Sequence, residues 1–320
     1  MISGFLVIDK PVGITSHDVV SVLRAMLGIK KIGHTGTLDP FATGVLPMAI
    51  GPSTRLIQFL DESTKIYDAT VQLGTSTDTG DLTGEVAETK PVPSLEFGEV
   101  QGVLDSFVGN RMQTPPAYSA VKVDGKALYK YAREGKAVQA KARPIHIESM
   151  TLSAVSEDTI DLQVRCSRGT YVRVIAEEIG EALGTKGHLI ALRRLASGPF
   201  GLERSIDFPG LSELAAGNPD WRPVLRPRRG EERVQWRERE ALVAELLPRF
   251  VDPHTALSHL PQARLSDEDL LSLRLRGRVL SVPDSVKDGG HWLAFDEDQM
   301  LGVLKRDGAI GRVARMLAQV

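Results

Sequence analysis

The sequence predicts an α+β protein with a large part that mixes strands and helices and a small β-rich C-terminal part. Three observations carry this. Residues 144–155 and 159–166 alternate apolar and polar side chains with almost no chain between them, as adjacent antiparallel strands do. Val19, Val20, Leu23, Met26 and Leu27, and again Val172, Ile175, Ala176, Ile179 and Leu183, recur at helical spacing, and each set is closed by a glycine, Gly28 or Gly184. Four short segments, at 278–282, 291–295, 300–305 and 310–316, read as the strands of a separate unit. A length of 320 residues suits two domains, and 42% apolar residues suffice for a full core.

In chain order, the apolar run at 5–8 is a buried strand and 9–13 turns the chain. Ser16 caps the first helix, with Asp18 in its first turn. The stretch from Gly33 to Pro47 is unusually dense in glycine, threonine and proline. Glycine admits positive φ, and proline pushes the residue before it towards extended geometry, so Asp39 stands out from a stiff loop anchored by Val45, Leu46, Met48, Ala49 and Ile50. One carboxylate so placed suits a nucleophile or a base; an Asx-type turn is the alternative. Residues 54–60 read as a short helix and 69–73 as a strand, entered past Tyr67, which packs half-buried with its hydroxyl wet. Residues 78–84 read as a solvated loop. Ser94 caps a helix through Phe107, closed by Gly109.

A basic excursion follows. Between residues 122 and 143, seven bases (Lys122, Lys126, Lys130, Arg133, Lys136, Lys141 and Arg143) face two acids, a local charge of +5 in a chain of net −2. Three of the five tyrosines, Tyr118, Tyr129 and Tyr131, are interleaved with them. Clustered charge with flat aromatic faces suits a nucleic-acid groove; an ordinary solvated face is the alternative. Gly125 and Gly135 give the segment freedom to move. The second helix begins at Tyr171, so that Tyr171 and Arg173 flank its apolar stripe, and 187–195 returns as a strand carrying Leu192. Residues 217–248, with their prolines and arginines, read as an exposed linker, with a charged helix over 233–247. Beyond it Ser266 caps a helix to Arg276, stopped by Gly277. Cys166 stands alone, which excludes an internal disulfide and a multi-cysteine zinc site; it reads as a small buried residue. The histidines show no metal-ligand spacing. No long uncharged apolar run and no signal peptide are present, which points to a cytoplasmic protein without membrane contact or structural metal.

Gly33-His34-Thr35-Gly36-Thr37-Leu38-Asp39-Pro40-Phe41-Ala42-Thr43-Gly44-Val45-Leu46 closely resembles the catalytic motif of TruB-type tRNA pseudouridine synthases. Asp9-Lys10-Pro11, the Lys65-Ile66-Tyr67 segment, the basic excursion and Arg168-Gly169-Thr170-Tyr171-Val172-Arg173 resemble further parts of that family in the same order, good over about residues 4–210. The resemblance implies a pseudouridine synthase catalytic domain with a mixed and antiparallel sheet over 1–216, a thumb insertion at about 113–146, and a PUA-like RNA-binding domain over 249–320. It implies isomerisation of the T-loop uridine, position 55 of tRNA, with Asp39 as the essential carboxylate, acting at the sugar as nucleophile or by abstracting a sugar proton. It further implies that Tyr67 stacks on the flipped base, Arg173 pairs with Asp39, Tyr171 packs beneath it, Leu192 lines the pocket, Lys10 lies near it and His34 helps displace T-loop bases. Lys122, Lys126, Lys130, Arg133 and Arg143 clamp the tRNA elbow. A solvated turn lysine, a structural loop histidine and core packing remain the alternatives for Lys10, His34 and Leu192. The chemistry is redox-neutral, so no cofactor is expected; the built-in thumb points to action without guide RNA, and a monomer is expected. The 217–248 stretch departs from the family's shorter connection. A non-catalytic RNA-binding protein, or a guide-dependent synthase, is the competing function.

Overall fold

The computed structural model describes residues 2–61, 64–217 and 238–317. Strand β1 (Gly4–Lys10) leads through α1 (Ser16–Leu27) to β2 (Ile32–His34) and β3 (Thr43–Ile50). Then come β4 (Thr64–Leu73), the hairpin of β5 (Thr75–Thr77) and β6 (Val86–Thr89), α2 (Phe97–Asp105), β7 (Gly109–Gln113), a short hairpin of β8 (Lys122–Val123) and β9 (Lys126–Ala127), and α3 (Leu128–Arg133). β10 (Arg143–Val155), β11 (Thr159–Ser167), α4 (Val172–Ala182), β12 (Gly187–Ser197), β13 (Phe200–Gly201), β14 (Ser205–Asp207) and α5 (Phe208–Ala216) complete the larger part. Ten of its fourteen described strands form one sheet of order β14-β1-β3-β12-β4-β11-β10-β7, with β2 on β3 and β13 on β12. The β1–β14 and β3–β12 pairs are parallel and the rest antiparallel, so the α+β class holds. Behind it, α6 (Arg239–Leu246), α7 (Pro253–Ala256), β15 (Gln262–Arg264), α8 (Asp267–Arg276), β16 (Arg278–Val279), β17 (His291–Asp296), β18 (Gln299–Asp307) and β19 (Ile310–Met316) include a five-stranded sheet of order β15-β17-β18-β19-β16.

The apolar pattern explains which strands are central. Alternate side chains of a strand point to opposite faces. In β1, Leu6 and Ile8 join the core under α1 and α4, while Phe5 and Val7 join a second core with Leu293, Phe295 and Val303 of the C-terminal sheet. β1 and β3 are therefore covered on both faces and read as unbroken apolar runs. β4 and β11 are covered on one face only: Tyr67, Val71, Leu162 and Val164 are buried, whereas Asp68, Gln163 and Arg165 are exposed. Cys166 is buried there, and burial pushes its thiol up to about 11.

Several local expectations are corrected. Thr15, not Ser16, caps α1, in a capping box with Asp18. Ser16 sits one place inside the helix, and its hydroxyl bonds Leu38 instead. α2 begins at Phe97 after an extended Glu96, so Ser94 caps nothing. The expected helix at 54–60 is two 3-10 turns, Gly51–Arg55 and Ile57–Phe59, started by Pro52. Gly125 is not a hinge: with Asp124 it supplies the two positive-φ positions of a tight β8–β9 hairpin, the geometry an Asp-Gly pair favours. Most of the expected linker, residues 218–237, lies outside the described residues, and so do 233–237 of the expected charged helix.

Candidate active site

The loop between β2 and β3, residues 35–42, is irregular, and buried side chains fix its shape by bonding its backbone. Ser16 Oγ donates to Leu38 O (3.1 Å) and accepts from Leu38 N (2.8 Å). Arg194, 1% exposed on β12, donates from Nε to Val45 O (2.7 Å), from Nη2 to Gly36 O (3.1 Å) and from Nη1 to Thr37 O (3.4 Å). Lys10, wholly buried, donates from Nζ to the carbonyls of Pro11 (2.8 Å), Ile14 (2.9 Å) and Pro40 (3.4 Å). Burial lowers its pKa to about 8, against the pull of Asp39. It is thus no solvated turn lysine. Gly44, at φ +100°, makes the loop's exit possible: a Cβ there would stand 2.1 Å from Arg194 O, where β3 and β12 pair in parallel over only Thr43–Arg193 and Gly44–Arg194.

Asp39 rises from this loop with its side chain 34% exposed and meets Arg173 of α4 at 3.0 Å (Nε to Oδ2). The other two nitrogens of Arg173 donate to Thr79 O (2.7 Å, Nη1) and Tyr118 O (2.9 Å, Nη2), so its planar fork is fully engaged and aimed. Asp81 lies 3.7 Å from Arg173 Nε on the other side. Asp81 is buried, and its Oδ1 accepts from Thr79 Oγ1, Thr83 N and Thr83 Oγ1. The expectation that 78–84 is a solvated loop fails at this residue, because its carboxylate is the hub of the turn. The Asp39 carboxyl is held above the usual aspartate range: burial raises it most, Asp81 adds to the rise, and Arg173 and Lys10 pull the other way. The pull of Arg173 is therefore outweighed. Burial also raises Glu177, one turn along α4 and close to Gly80, to about 7.

Asp39 and Arg173 open into a cleft of about 720 Å³. Tyr67, Lys65, Tyr171 and Leu192 line it from the sheet and α4, and Tyr118, Tyr129 and Arg133 line it from the basic excursion. Tyr67 is 7% exposed, more deeply packed than half-buried, and lies opposite Arg194 in the β4–β12 pairing. Lys65 donates to Ser197 Oγ at 3.0 Å. His34, on β2, stands next to the lining at Thr35 but outside it. Lys122, Lys126, Lys130 and Arg143 also lie outside the lining; Lys122, Lys130 and Arg143 are on the open surface of the excursion. Lys126 pairs with Glu134 and stands over the Tyr131 ring, and Arg133 stands over Tyr129.

Asp81, Arg194 and Gln113 escape a reading of the sequence. Arg194 offers one signal: it is two residues beyond Leu192 on the same strand, hence on the same face. An ionised carboxylate on a bonded loop, with one arginine to orient it and an open, partly aromatic cleft in front, can act on a flat substrate that enters from solvent.

The fold is shared with a Cbf5-Nop10-Gar1 complex, with a TM-score of 0.67 at 24% identity, covering 98% of this chain and 84% of that one. A family model described as TruB family pseudouridylate synthase (N terminal domain) matches residues 24–172, and one described as tRNA pseudouridylate synthase B C-terminal domain matches residues 173–227. The chain is similar to the tRNA pseudouridine synthase B of Geobacter sulfurreducens, 52% identical over 216 residues, 67% of this chain and 71% of the relative. It is also similar to that of Aromatoleum aromaticum, 39% identical over 308 residues, 96% of this chain and 90% of the relative. Fold and sequence together define an enzyme of the pseudouridine synthase class. Within that class, the chain belongs to the TruB family.

Proposed function

We propose that this protein converts the T-loop uridine of tRNA, position 55, to pseudouridine, and that it does so alone, without guide RNA. The single observation that carries the reading is Asp39, fixed by backbone bonds and met by Arg173 at 3.0 Å at the mouth of the cleft. The reaction breaks the bond from uracil N1 to ribose C1′, turns the base, forms a bond from C5 to C1′, and exchanges the C5 proton for one on the freed N1. The ionised carboxylate of Asp39 acts at the sugar, as nucleophile or as base for a sugar proton. Arg173 keeps it aimed and favours its charged form against burial. The target base leaves its stack to reach the cleft, and Tyr67 supplies the face it packs on, with Tyr171 and Leu192 beside it. His34 displaces neighbouring T-loop bases, and Lys10 holds the loop from below.

The other roles follow from charge and position. The excursion carrying Lys122, Lys126, Lys130, Arg133 and Arg143 clamps the tRNA elbow, with Arg133 nearest the cleft. Residues 1–216 form the catalytic domain with its thumb at about 113–146, residues 217–248 a connecting insertion, and residues 249–320 a PUA-like RNA-binding domain. The protein works as a cytoplasmic monomer; among the described residues no helix is long and apolar enough to cross a membrane. The test is purified, EDTA-treated protein with an unmodified tRNA transcript and pseudouridine mapping. One modified uridine, in the T-loop, is expected without any added RNA or metal. Modification elsewhere, or only after a guide RNA or a divalent ion is supplied, would overturn it.

A further inference from the structure

We propose that Gln113 is a positioning residue for the Asp39–Arg173 pair, acting through a two-point amide clamp on the backbone of Tyr171. This rests on the proposed function of the same site. Gln113 is the last residue of β7, 3% exposed, at the root of the basic excursion. Its side-chain Oε1 accepts from Tyr171 N at 2.8 Å, and its Nε2 donates to Tyr171 O at 3.1 Å. Tyr171 is the N-cap residue of α4, and its own side chain makes no capping bond. The start of α4 therefore takes its support from another strand. Tyr171 O also receives the first α4 backbone bond, from Ile175 N at 3.3 Å, so the clamp and the helix share one carbonyl.

Two residues along α4, Arg173 makes the 3.0 Å contact with Asp39. A guanidinium that meets a carboxylate, Thr79 O and Tyr118 O has little room for displacement, because hydrogen bonds weaken steeply with angle and length. The stretch Gln113 begins also supplies one of those carbonyls, at Tyr118. From there two backbone bonds, Tyr129 N to Ser119 O (3.1 Å) and Leu128 N to Val121 O (2.8 Å), tie the start of α3 to the same strap. Gln113 thus fixes, at one point, the helix that carries Arg173 and the root of the segment that completes its cage. It reaches no reacting atom; it acts through Tyr171 and Arg173.

Asp39 is faced by Arg173 from α4, Asp81 from the 78–84 loop and Lys10 from β1, and Arg173 in turn by Glu177. Displacing Arg173 removes the larger of the two positive influences on Asp39 and leaves burial and Asp81, which both favour protonation. The expected signature of losing the clamp is therefore a shift in pH dependence as well as a slower rate.

The experiment uses full-length protein with Gln113→Met, which keeps the volume and removes both hydrogen bonds, and Gln113→Glu, which keeps only the accepting oxygen at neutral pH. Single-turnover pseudouridine formation on a T-arm hairpin is followed with saturating protein across pH, together with hairpin affinity and thermal unfolding. Gln113→Met is expected to slow the rate at neutral pH about 10–100-fold, as sub-ångström misplacement does, with affinity nearly unchanged and the acid limb of the rate moved to higher pH. Gln113→Glu is expected to fall between it and the wild type at neutral pH, and this reads the clamp if the Met variant does not fold. A folded Gln113→Met protein with a wild-type rate, or with a uniform loss and an unmoved acid limb, overturns the inference. Wild-type protein that forms no pseudouridine overturns the proposed function, and the inference falls with it.

Discussion

Positive charge is used in opposite ways in two regions of this molecule. Around the 35–42 loop, Lys10, Arg173 and Arg194 are buried and spend their donors on backbone carbonyls; only Arg173 also meets the half-exposed carboxylate of Asp39. In the excursion from residue 122 to 143, most of the bases stand at the surface, and Glu134 is paired with Lys126 and Lys136. Buried cations act as rivets that give an irregular backbone one shape. Surface cations in excess of their counter-ions hold a free field for a polyanion. Number of charges does not separate the two regions; what each cation is bonded to does.

The sharpest break of this contrast is at the carboxylate itself. Asp39→Asn keeps the shape and removes the charge; single-turnover conversion of a T-arm hairpin is expected to fall at least about 10⁴-fold, roughly 5.5 kcal/mol of barrier, with RNA affinity little changed. Next comes the cation that faces it. Arg173→Ala should cost about 10²–10³-fold in the same assay, and a Lys replacement should recover only part, because it lacks the planar fork. The wild-type acid limb should stand above 3.8, the ordinary aspartate value, since burial outweighs Arg173; removing Arg173 should move it higher still. A limb unmoved in Arg173→Ala would mean that the guanidinium does not tune Asp39.

A matched pair of substitutions compares the regions directly. Lys10→Met strips donors from the carbonyls of Pro11 and Ile14 and should cost about 1–3 kcal/mol of stability in denaturant melts, since unsatisfied buried acceptors are expensive. Lys136→Met should change stability by less than about 0.5 kcal/mol, as exposed sites do. Equal losses would erase the distinction. The smallest effect on the chemical step is expected from replacing Lys126, Lys130, Arg133 and Lys136 together by Gln. tRNA binding should weaken, and its log–log salt slope should flatten by about 0.7–0.9 for every phosphate that is no longer neutralised. An unchanged slope would leave these charges as an ordinary solvated face.

What the sequence shows and what it hides follow the same line. The α+β class, α1 and α4 with their glycine stops, and β10, β11 and β12 are legible because periodicity reports burial on one face. The stiffness of the 35–42 loop is legible in the glycines and prolines of the 33–47 stretch. The rivets are not. Arg194 shares a strand face with Leu192, but only the β3–β12 contact shows that it is bonded to Gly36, Thr37 and Val45, about 150 residues back. Asp81 sits in a string of turn residues whose composition says solvent; three donors from Thr79 and Thr83 turn its carboxylate inward. Ser16 reads as a cap because capping is a local property, whereas its bond to Leu38 spans the site. Local rules find elements, and long-range hydrogen bonds between elements are beyond them.

The pairing of β3 with β12 bears on how the chain is made. Asp39 leaves the ribosome early, yet Arg173 and Arg194, which cage its loop, lie well over a hundred residues downstream, Arg173 by 134. β1 likewise waits for β14, at Ser205–Asp207, and for Val251, whose backbone bonds Phe5. Contacts of such sequence separation close late, because each must first overcome loop-closure entropy. During synthesis Asp39 therefore sits on a loop without these bonds until β12 has emerged. A polypeptide stalled or cleaved before residue 187 holds the whole TruB-like motif and none of its cradle from Arg194. On the proposed function, activity is therefore expected only of a chain that extends past β12, however intact the motif of a shorter one looks.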